Sequence, residues 1–257
     1  MKRIHPFLIL FILFSIQIAI TQDKTPLSVE EIVRLAKEGR ERQRGYVKDY
    51  TCFCVEELRI LDKKGKIKHQ ERVKKRVYTK GDLTHDEVVS ILKKDELLSE
   101  KEIKERQKEI DKEERKKGKE EDSRGISPFE EKGEGKFEIN LVREDSLGGR
   151  SAYVLSVNPK KKGKELLKGL YWIDKQNFRI LKSELSPSKN PKFVKEMNIF
   201  IDFVEIEQGI FLPETFRIKG RGGFLFFKSN FEMKRTCQNY ELNVGLKDEM
   251  FPELQAE

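Results

Sequence analysis

The residues of this chain that could do covalent chemistry are its three cysteines, Cys52, Cys54 and Cys237. Cys52 and Cys54 are two residues apart in a strand-like run, so their side chains share a face and a disulfide between them is geometrically poor. An odd number of cysteines allows at most one intrachain disulfide, and we expect Cys237 to pair with either Cys52 or Cys54. The alternative is three buried, inert thiols, because free cysteine is among the most buried residue types.

Histidine and carboxylate patterns do not indicate an enzyme. Beyond the N-terminal segment the histidines are His69 and His85, and neither has zinc-ligand spacing to another histidine, a cysteine or a carboxylate pair. The run Gly220–Gly223 lies between two predicted strands, so we expect a hairpin turn and not a phosphate loop. Glu56 and Glu57 are neighbours in a predicted strand, which places one of them on the inner face. We expect no catalytic residue, no metal and no cofactor.

The N-terminus has the pattern of an export signal. Lys2 and Arg3 precede an apolar run from Phe7 to Ile20, which is too short to span a bilayer comfortably and matches the apolar region of a secretory signal. The sequence predicts a signal peptide over residues 1–21, cleavage before Gln22, and a soluble mature protein in the periplasm. An uncleaved anchor is the alternative.

The net charge of +8 arises from 53 basic and 45 acidic residues that are interleaved along the chain. No aromatic RNA-binding motif or zinc-finger spacing accompanies the basic residues, so a nucleic-acid partner is not indicated. Attraction to an anionic membrane surface would explain the excess equally well. A solvated surface of mixed sign is the simplest interpretation.

The patterns of the chain predict an α+β fold that is mainly β. Ser28 and Glu31 have capping-box spacing at the start of a helix from about Val29 to Arg44. Two strands follow from Tyr50, and a series of strands begins at Lys136. The connections are short, which requires antiparallel neighbours in a meander of roughly nine strands.

We expect residues 22–257 to form one domain, with a charged helical insertion at about 95–125 and a linker over Ser127–Gly135. A solvated helix is the simplest interpretation of the insertion. A mobile cover over a cavity is the alternative, and its apolar residues would then form a lid: Leu98, Ile103 and Ile110.

One face of the predicted meander is strongly apolar, and the chain offers few helices to cover it. The strands must therefore close, pack on a second sheet, or curl around the helices, and incomplete cover would leave a cavity for an apolar ligand. A filled core without a cavity is the alternative. The candidate ligand-binding residues are Phe193, Met197, Ile199, Ile201, Phe203, Leu212, Phe216, Leu225, Phe227 and Phe231.

The only tryptophan lies in the stretch "LYWIDKQN", which predicts a strand followed by a turn. We expect Asp174 to accept hydrogen bonds from backbone N–H groups of the turn and Trp172 to be a packing anchor. Two further motifs flank this stretch, a Gly-Arg strand that ends near Pro159 and a Gly-x-x-Leu-Pro strand that starts at Gly209. The motif residues are Gly149, Arg150, Trp172, Ile173, Asp174, Leu212 and Pro213.

In this order the three motifs resemble the LolA/LolB-like superfamily of exported lipoprotein-sorting proteins. The resemblance covers about Phe137 to Tyr240. It implies an unclosed, strongly curved antiparallel sheet, a half-barrel, wrapped over a few helices. It also implies a hydrophobic cavity that holds acyl chains, with lipoproteins or lipids as partners. Carriage of lipoproteins to the outer membrane is the implied role, and an envelope sensor or structural module of the same fold is the alternative.

Overall fold

The computed structural model describes residues 27–119, 125–163, 165–223 and 229–255, with only the backbone for 117–119. The predicted signal peptide lies outside the described residues. The described chain contains two α-helices and a single antiparallel sheet of eleven strands. The helices are α1 (Val29–Tyr46) and α2 (Glu100–Lys119).

The sheet does not close, since its two end strands are not paired with each other. This confirms the predicted fold class, with more strands than the roughly nine expected. The first half of the chain supplies β1 (Asp49–Leu61), β2 (Ile67–Lys80), β3 (Leu83–Lys93) and β4 (Glu96–Leu97). The second half supplies β5 (Phe137–Leu147), β6 (Arg150–Pro159), β7 (Leu167–Asp174), β8 (Ile180–Pro187), β9 (Val194–Glu207), β10 (Ile210–Gly222) and β11 (Ser229–Leu242). In spatial order the strands are β4-β3-β2-β1-β11-β10-β9-β8-β7-β6-β5, so two meanders, β1 to β4 and β5 to β11, are joined by the pairing of β1 with β11.

Helix α1 begins at the predicted cap, where Ser28 Oγ accepts a hydrogen bond from the backbone N–H of Glu31 at 3.2 Å. Its apolar side packs on β6, β7 and β8 and forms the largest core cluster. Phe129 belongs to this core and makes an edge-on contact with Tyr171, with 5.1 Å between ring centroids. The predicted linker is therefore wrong for Phe129, because its buried ring closes the space between α1 and the sheet.

Helix α2 begins with a complete capping box, in which Glu102 Oε2 accepts from the Ser99 N–H at 2.9 Å and Ser99 Oγ accepts from the Glu102 N–H at 3.5 Å. Its apolar residues pack on a second cluster formed by Val73, Val88 and Ile91 of β2 and β3. The helix is thus anchored on the sheet through a narrow apolar side, while most of its other side chains are charged and exposed and Glu114 is buried.

Both helices lie on the same face of the sheet. Residues paired across antiparallel strands share a face, and one such row runs Val73, Glu56, Arg235, Phe216, Ile201, Ser183, Tyr171 and Leu155. Val73 at one end of the row packs under α2, and Tyr171 and Leu155 at the other end pack under α1. We call this the helix-bearing face.

The contacts of α1 show that the sheet curls. Arg44 of α1 bonds to Asp82 in the turn between β2 and β3 at 2.6 Å, while the carbonyl of Gly39 accepts a hydrogen bond from Arg179 beside β8. In a flat sheet β2 and β8 would be about 24 Å apart, since five inter-strand spacings separate them. Gly39 and Arg44 are only about 8 Å apart along the helix. One cavity is lined by both Thr79 of β2 and Ile180 of β8, so the two halves of the sheet bend toward each other around α1.

Candidate functional site

The middle of the helix-bearing face is not covered by either helix. Strands β1, β11, β10 and β9 pair here in register, so that Leu58 lies opposite Met233, Met233 opposite Ile218, and Ile218 opposite Ile199. The two neighbouring rows also contain Glu56, Arg235 and Gly220, and the remaining side chains of the three rows on these strands are apolar and half-buried. We call this set the apolar strip, and its members are Leu58, Ile60, Met197, Ile199, Ile201, Phe216, Ile218, Phe231 and Met233.

Five of the ten predicted ligand-binding residues lie on the apolar strip: Met197, Ile199, Ile201, Phe216 and Phe231. Their role in binding stays a prediction. Leu58 and Ile60 join the strip because β1 pairs with β11, a long-range contact that no local pattern shows. The alternation of apolar and polar residues in β10 and β11 also indicates Ile218 and Met233, which are two residues from Phe216 and Phe231 and so lie on the same face.

Gly220 of β10 leaves room for the ring of Phe231 on the apolar strip. A Cβ atom at this position would lie 2.3 Å from Cζ of Phe231, so the ring occupies the space that a side chain would need. The predicted hairpin turn over Gly220–Gly223 is therefore wrong for its first three residues, because β10 continues to Gly222.

The remaining predicted ligand-binding residues lie elsewhere or outside the described residues. Phe203 and Leu212 line a separate cavity of about 380 Å³ between α1 and β8, β9 and β10. Leu212 is buried, with 5% of its surface exposed. Phe193 is half exposed in the loop before β9, with Lys192 stacked on its ring at 5.1 Å from the centroid. Leu225 and Phe227 lie outside the described residues.

A second cavity, of about 350 Å³, adjoins the apolar strip and contains all three cysteines in its wall. Cys54 and Cys237 form a disulfide between β1 and β11, which confirms one of the two expected pairings. Cys52 is a free, buried thiol whose sulfur lies 3.7 Å from that of Cys54. Burial raises the pKa of the Cys52 thiol to about 11, so the thiol is protonated at neutral pH. Phe216 and Met233 of the strip line the same cavity.

A four-residue charge network separates the apolar strip from α2. Glu56 Oε2 accepts hydrogen bonds from Arg235 Nη2 at 2.7 Å and Lys75 Nζ at 3.2 Å, and Asp86 Oδ2 accepts from the same two groups at 2.8 and 3.1 Å. Burial alone would raise the pKa of both carboxyls, but the charges of Arg235 and Lys75 lower it. Within the described part of the chain, Asp86 Oδ1 has no hydrogen-bond partner.

The two adjacent glutamates of β1 have different environments, as alternation predicts. Glu56 faces inward into this network, whereas Glu57 lies on the other face and pairs with Arg72 at 2.7 Å. The inward carboxylate is balanced by two cations, which is the environment of a structural ion-pair network and gives no support to an acid or base catalyst.

The three predicted lid residues lie at the edge of the helix-bearing face, not above its centre. Leu98, Ile103 and Ile110 are partly buried and pack against the cluster of Val73, Val88 and Ile91. Their position fixes α2 beside the charge network, at one side of the apolar strip. Whether α2 retains a ligand stays a prediction.

The motif residues around Trp172 form a packing and turn-forming unit. Asp174 Oδ1 accepts from the backbone N–H groups of Gln176 at 2.7 Å and Asn177 at 3.2 Å, as predicted for a turn residue. Its other oxygen accepts from Arg150 Nη1 at 3.1 Å, and the Arg150 guanidinium stacks on Phe211 at 5.2 Å.

The remaining motif residues have structural contacts too. The Trp172 indole is buried and donates to Asp145 at 3.0 Å, with Lys182 at 4.9 Å from a ring centroid. Ile173 packs in the core under α1, and Gly149 has a φ of 81° in the turn before β6. The carbonyl of Pro213 accepts a hydrogen bond from the Tyr240 hydroxyl. These contacts support the prediction that the motif maintains the fold.

Among the described residues, no helix combines the length and the apolar character needed to cross a bilayer.

Three solved structures are similar to this chain at low sequence identity. A domain assigned to outer-membrane lipoprotein sorting from Vibrio parahaemolyticus is 13% identical, with 86% of this chain and 96% of that chain covered and a TM-score of 0.44. A DUF1329 family protein from Desulfovibrio piger is 13% identical, with 88% and 99% covered and a TM-score of 0.45. A LolA superfamily protein from Nitrosomonas europaea is 15% identical, with 88% and 97% covered and a TM-score of 0.36.

The Nitrosomonas europaea protein is a member of the superfamily that the sequence motifs resemble. None of the curated proteins matches the chain. A family model does match: residues 47–240, most of the chain, fit the model described as a family of unknown function, DUF5686, and the protein belongs to that family.

Proposed function

We propose that this protein is an exported periplasmic binding protein that holds the acyl chains of lipids or lipoproteins on its apolar strip. The observation that carries the proposal is the row of half-buried apolar side chains on β1, β11, β10 and β9, between the parts of the sheet that α1 and α2 cover. These side chains keep part of their surface in contact with water, and contiguous apolar surface of this kind is typical of ligand-binding and interaction sites.

The shape of the site favours a small apolar ligand over a flat protein partner. The sheet curls around α1, so the strip lies on an inward-curving surface, and the cavity of about 350 Å³ deepens it at Phe216 and Met233. Concave and mostly apolar sites with few polar groups are typical of small-molecule binding. Each methylene group that leaves water contributes about 0.8 kcal/mol, so an acyl chain gains affinity from length alone.

We also propose that the protein acts in the periplasm and has no enzymatic activity. The N-terminal pattern of Lys2, Arg3 and an apolar run supports export, and the Cys54–Cys237 disulfide supports an oxidising compartment. The polar groups nearest the strip are neutralised ion pairs, which hold structure and offer no reacting group. We therefore propose a binding protein and no enzymatic activity.

Ligand binding is tested by a pair of substitutions in neighbouring residues of β9. Ile201 lies on the apolar strip, while Phe200 lies on the opposite face beside Arg217. We expect native mass spectrometry of the purified protein to show acyl-chain adducts and a fluorescent fatty acid to bind. Ile201→Ser should weaken this binding about tenfold, whereas Phe200→Ser should not. A clean ligand-free mass without fatty-acid uptake would overturn the proposal.

A transfer assay decides what the bound ligand is for. In a carrier, a bound lipoprotein passes to an acceptor membrane. A sensor or structural module of the same fold would retain it. Mixing the loaded protein with acceptor vesicles and measuring the lipoprotein that moves to them distinguishes these roles, and failure to transfer would exclude carriage without excluding binding.

A further inference from the structure

A histidine and two carboxylates meet where α2 lies against β3. His85 Nδ1 of β3 is 2.8 Å from Glu114 Oε2 of α2. One ring nitrogen of His85 and one carboxylate oxygen each of Asp111 and Glu114 lie within 4.8 Å of one another. Asp111 and Glu114 are three residues apart on the helix, so both side chains project from one side of it. This group lies beyond the charge network, away from the apolar strip.

A further contact holds each of the three side chains in place, and each side chain keeps one possible ligand atom that could bind a cation. Glu114 Oε1 accepts from the backbone N–H of Asp86 at 3.0 Å, and Asp111 Oδ1 accepts from Gln107 Nε2 at 2.7 Å. The imidazole of His85 is stacked against the ring of Tyr78, with 6.1 Å between centroids and 14° between planes. Such supporting contacts orient the ligands of metal sites and fix which atoms face the ion.

The charge balance of the group also favours a cation. Glu114 is buried, with 6% of its surface exposed, and a buried carboxylate is costly unless a cation compensates it. The nearby Asp86 is already balanced by Lys75 and Arg235. Among the described residues, the group that faces both Asp111 and Glu114 is His85, which can balance one negative charge only when protonated.

We propose that His85, Asp111 and Glu114 form a site for a divalent transition-metal ion, with Zn²⁺ as the expected ion and water completing its coordination. One imidazole nitrogen with two carboxylate oxygens is a donor set for Zn²⁺ or Mn²⁺, not for soft ions that prefer thiolates. Ligand atoms about 2.1 Å from one ion are roughly 3.4 Å apart, so Nδ1 and Oε2 need to separate by about half an ångström. The proton on Nδ1 leaves when the metal binds.

A metal ion at this position would join α2 to β3 by coordination. The site does not depend on the proposed acyl-chain binding, because it shares no residue with the apolar strip. The linear spacing of the histidines predicted no zinc site, and the group exists only because α2 folds back onto β3.

The test is calorimetric titration of untagged protein with ZnCl₂ at pH 7.5. We expect one ion per chain, and an affinity at least tenfold lower in His85→Ala and in Asp111→Asn. His69→Ala is the matched control and should bind as the original protein does. Asparagine has nearly the same size as aspartate and residue 111 is partly exposed, so we expect Asp111→Asn to fold. Its affinity for Zn²⁺ then tests the site even if His85→Ala fails to fold. The site is overturned if the original protein shows no saturable binding, or if the folded variants bind Zn²⁺ as tightly as the original protein does.

Discussion

The disulfide between Cys54 and Cys237 joins β1 to β11, two strands that are paired in the middle of the sheet although the residues are 183 positions apart. It lies in the wall of the cavity beside the apolar strip, where β1, the first strand of the chain, pairs with β11, the last. The bond therefore fixes the register of the pairing that assembles the strip from both ends of the chain.

Removal of this disulfide should lower stability substantially. Because the bond closes a very long loop, Cys54→Ala combined with Cys237→Ala is expected to reduce the free energy of unfolding by about 2–5 kcal/mol. Urea denaturation followed by circular dichroism measures the loss. Cys52→Ala is the control, and it should cost much less because it breaks no covalent bond. An equal effect of the two changes would contradict the structural role of the disulfide.

The Cys52 thiol should be unreactive in the folded protein. With 2% of its surface exposed and its pKa raised to about 11, it is both inaccessible and protonated. Roughly a thousandth of the thiol is ionised at pH 8, and the thiolate is the nucleophile. Mass spectrometry after treatment with iodoacetamide should detect no alkylation of the native protein and one modification in denaturant. Rapid modification of the native protein would show that the cavity opens.

Glu56 should stabilise the fold in a pH-dependent manner. The cations Arg235 and Lys75 hold its pKa below the usual value of 4.5, so its stabilising effect is present above that pH and is lost as the pH falls through the lowered pKa. Glu56→Gln should cost about 3 kcal/mol at pH 7 and progressively less below pH 4.5. Glu57→Gln, one residue away on the opposite face, should cost less than about 1 kcal/mol. Denaturation midpoints from pH 3 to pH 7 give the comparison, and a pH-independent difference would contradict it.

The docking of α2 should depend on its few apolar residues. Ile103 is partly buried against Val73, Val88 and Ile91, so Ile103→Ser is expected to cost about 1 kcal/mol and to speed hydrogen exchange in α2. The exposed Glu105→Ser is the control on the same helix. If α2 is also a lid, Ile103→Ser will shorten the retention of a bound fluorescent fatty acid. Unchanged retention with faster exchange would leave α2 a structural element only.

Local patterns were sufficient to predict much of the fold. The cap at Ser28, the capping box at Ser99 and Glu102, the turn at Asp174 and the alternation of β9 and β10 are found as predicted. They succeed because each depends on residues at most four positions apart. The linker assigned to Phe129 and the turn assigned to Gly220 fail, since a distant ring decides both environments, Tyr171 in the first case and Phe231 in the second.

The sequence by itself determined that the chain forms an antiparallel sheet with one apolar face, because period-two alternation and short turns leave little choice. It also favoured a disulfide of Cys237 with Cys52 or Cys54, with three buried thiols as the alternative. Only the tertiary structure decided that Cys54 is the partner of Cys237, that Leu58 and Ile60 join the apolar strip, and that His85 meets Asp111 and Glu114. These relationships depend on strand register and helix docking between segments far apart in sequence, where the free energy of packing, not local propensity, selects the contacts.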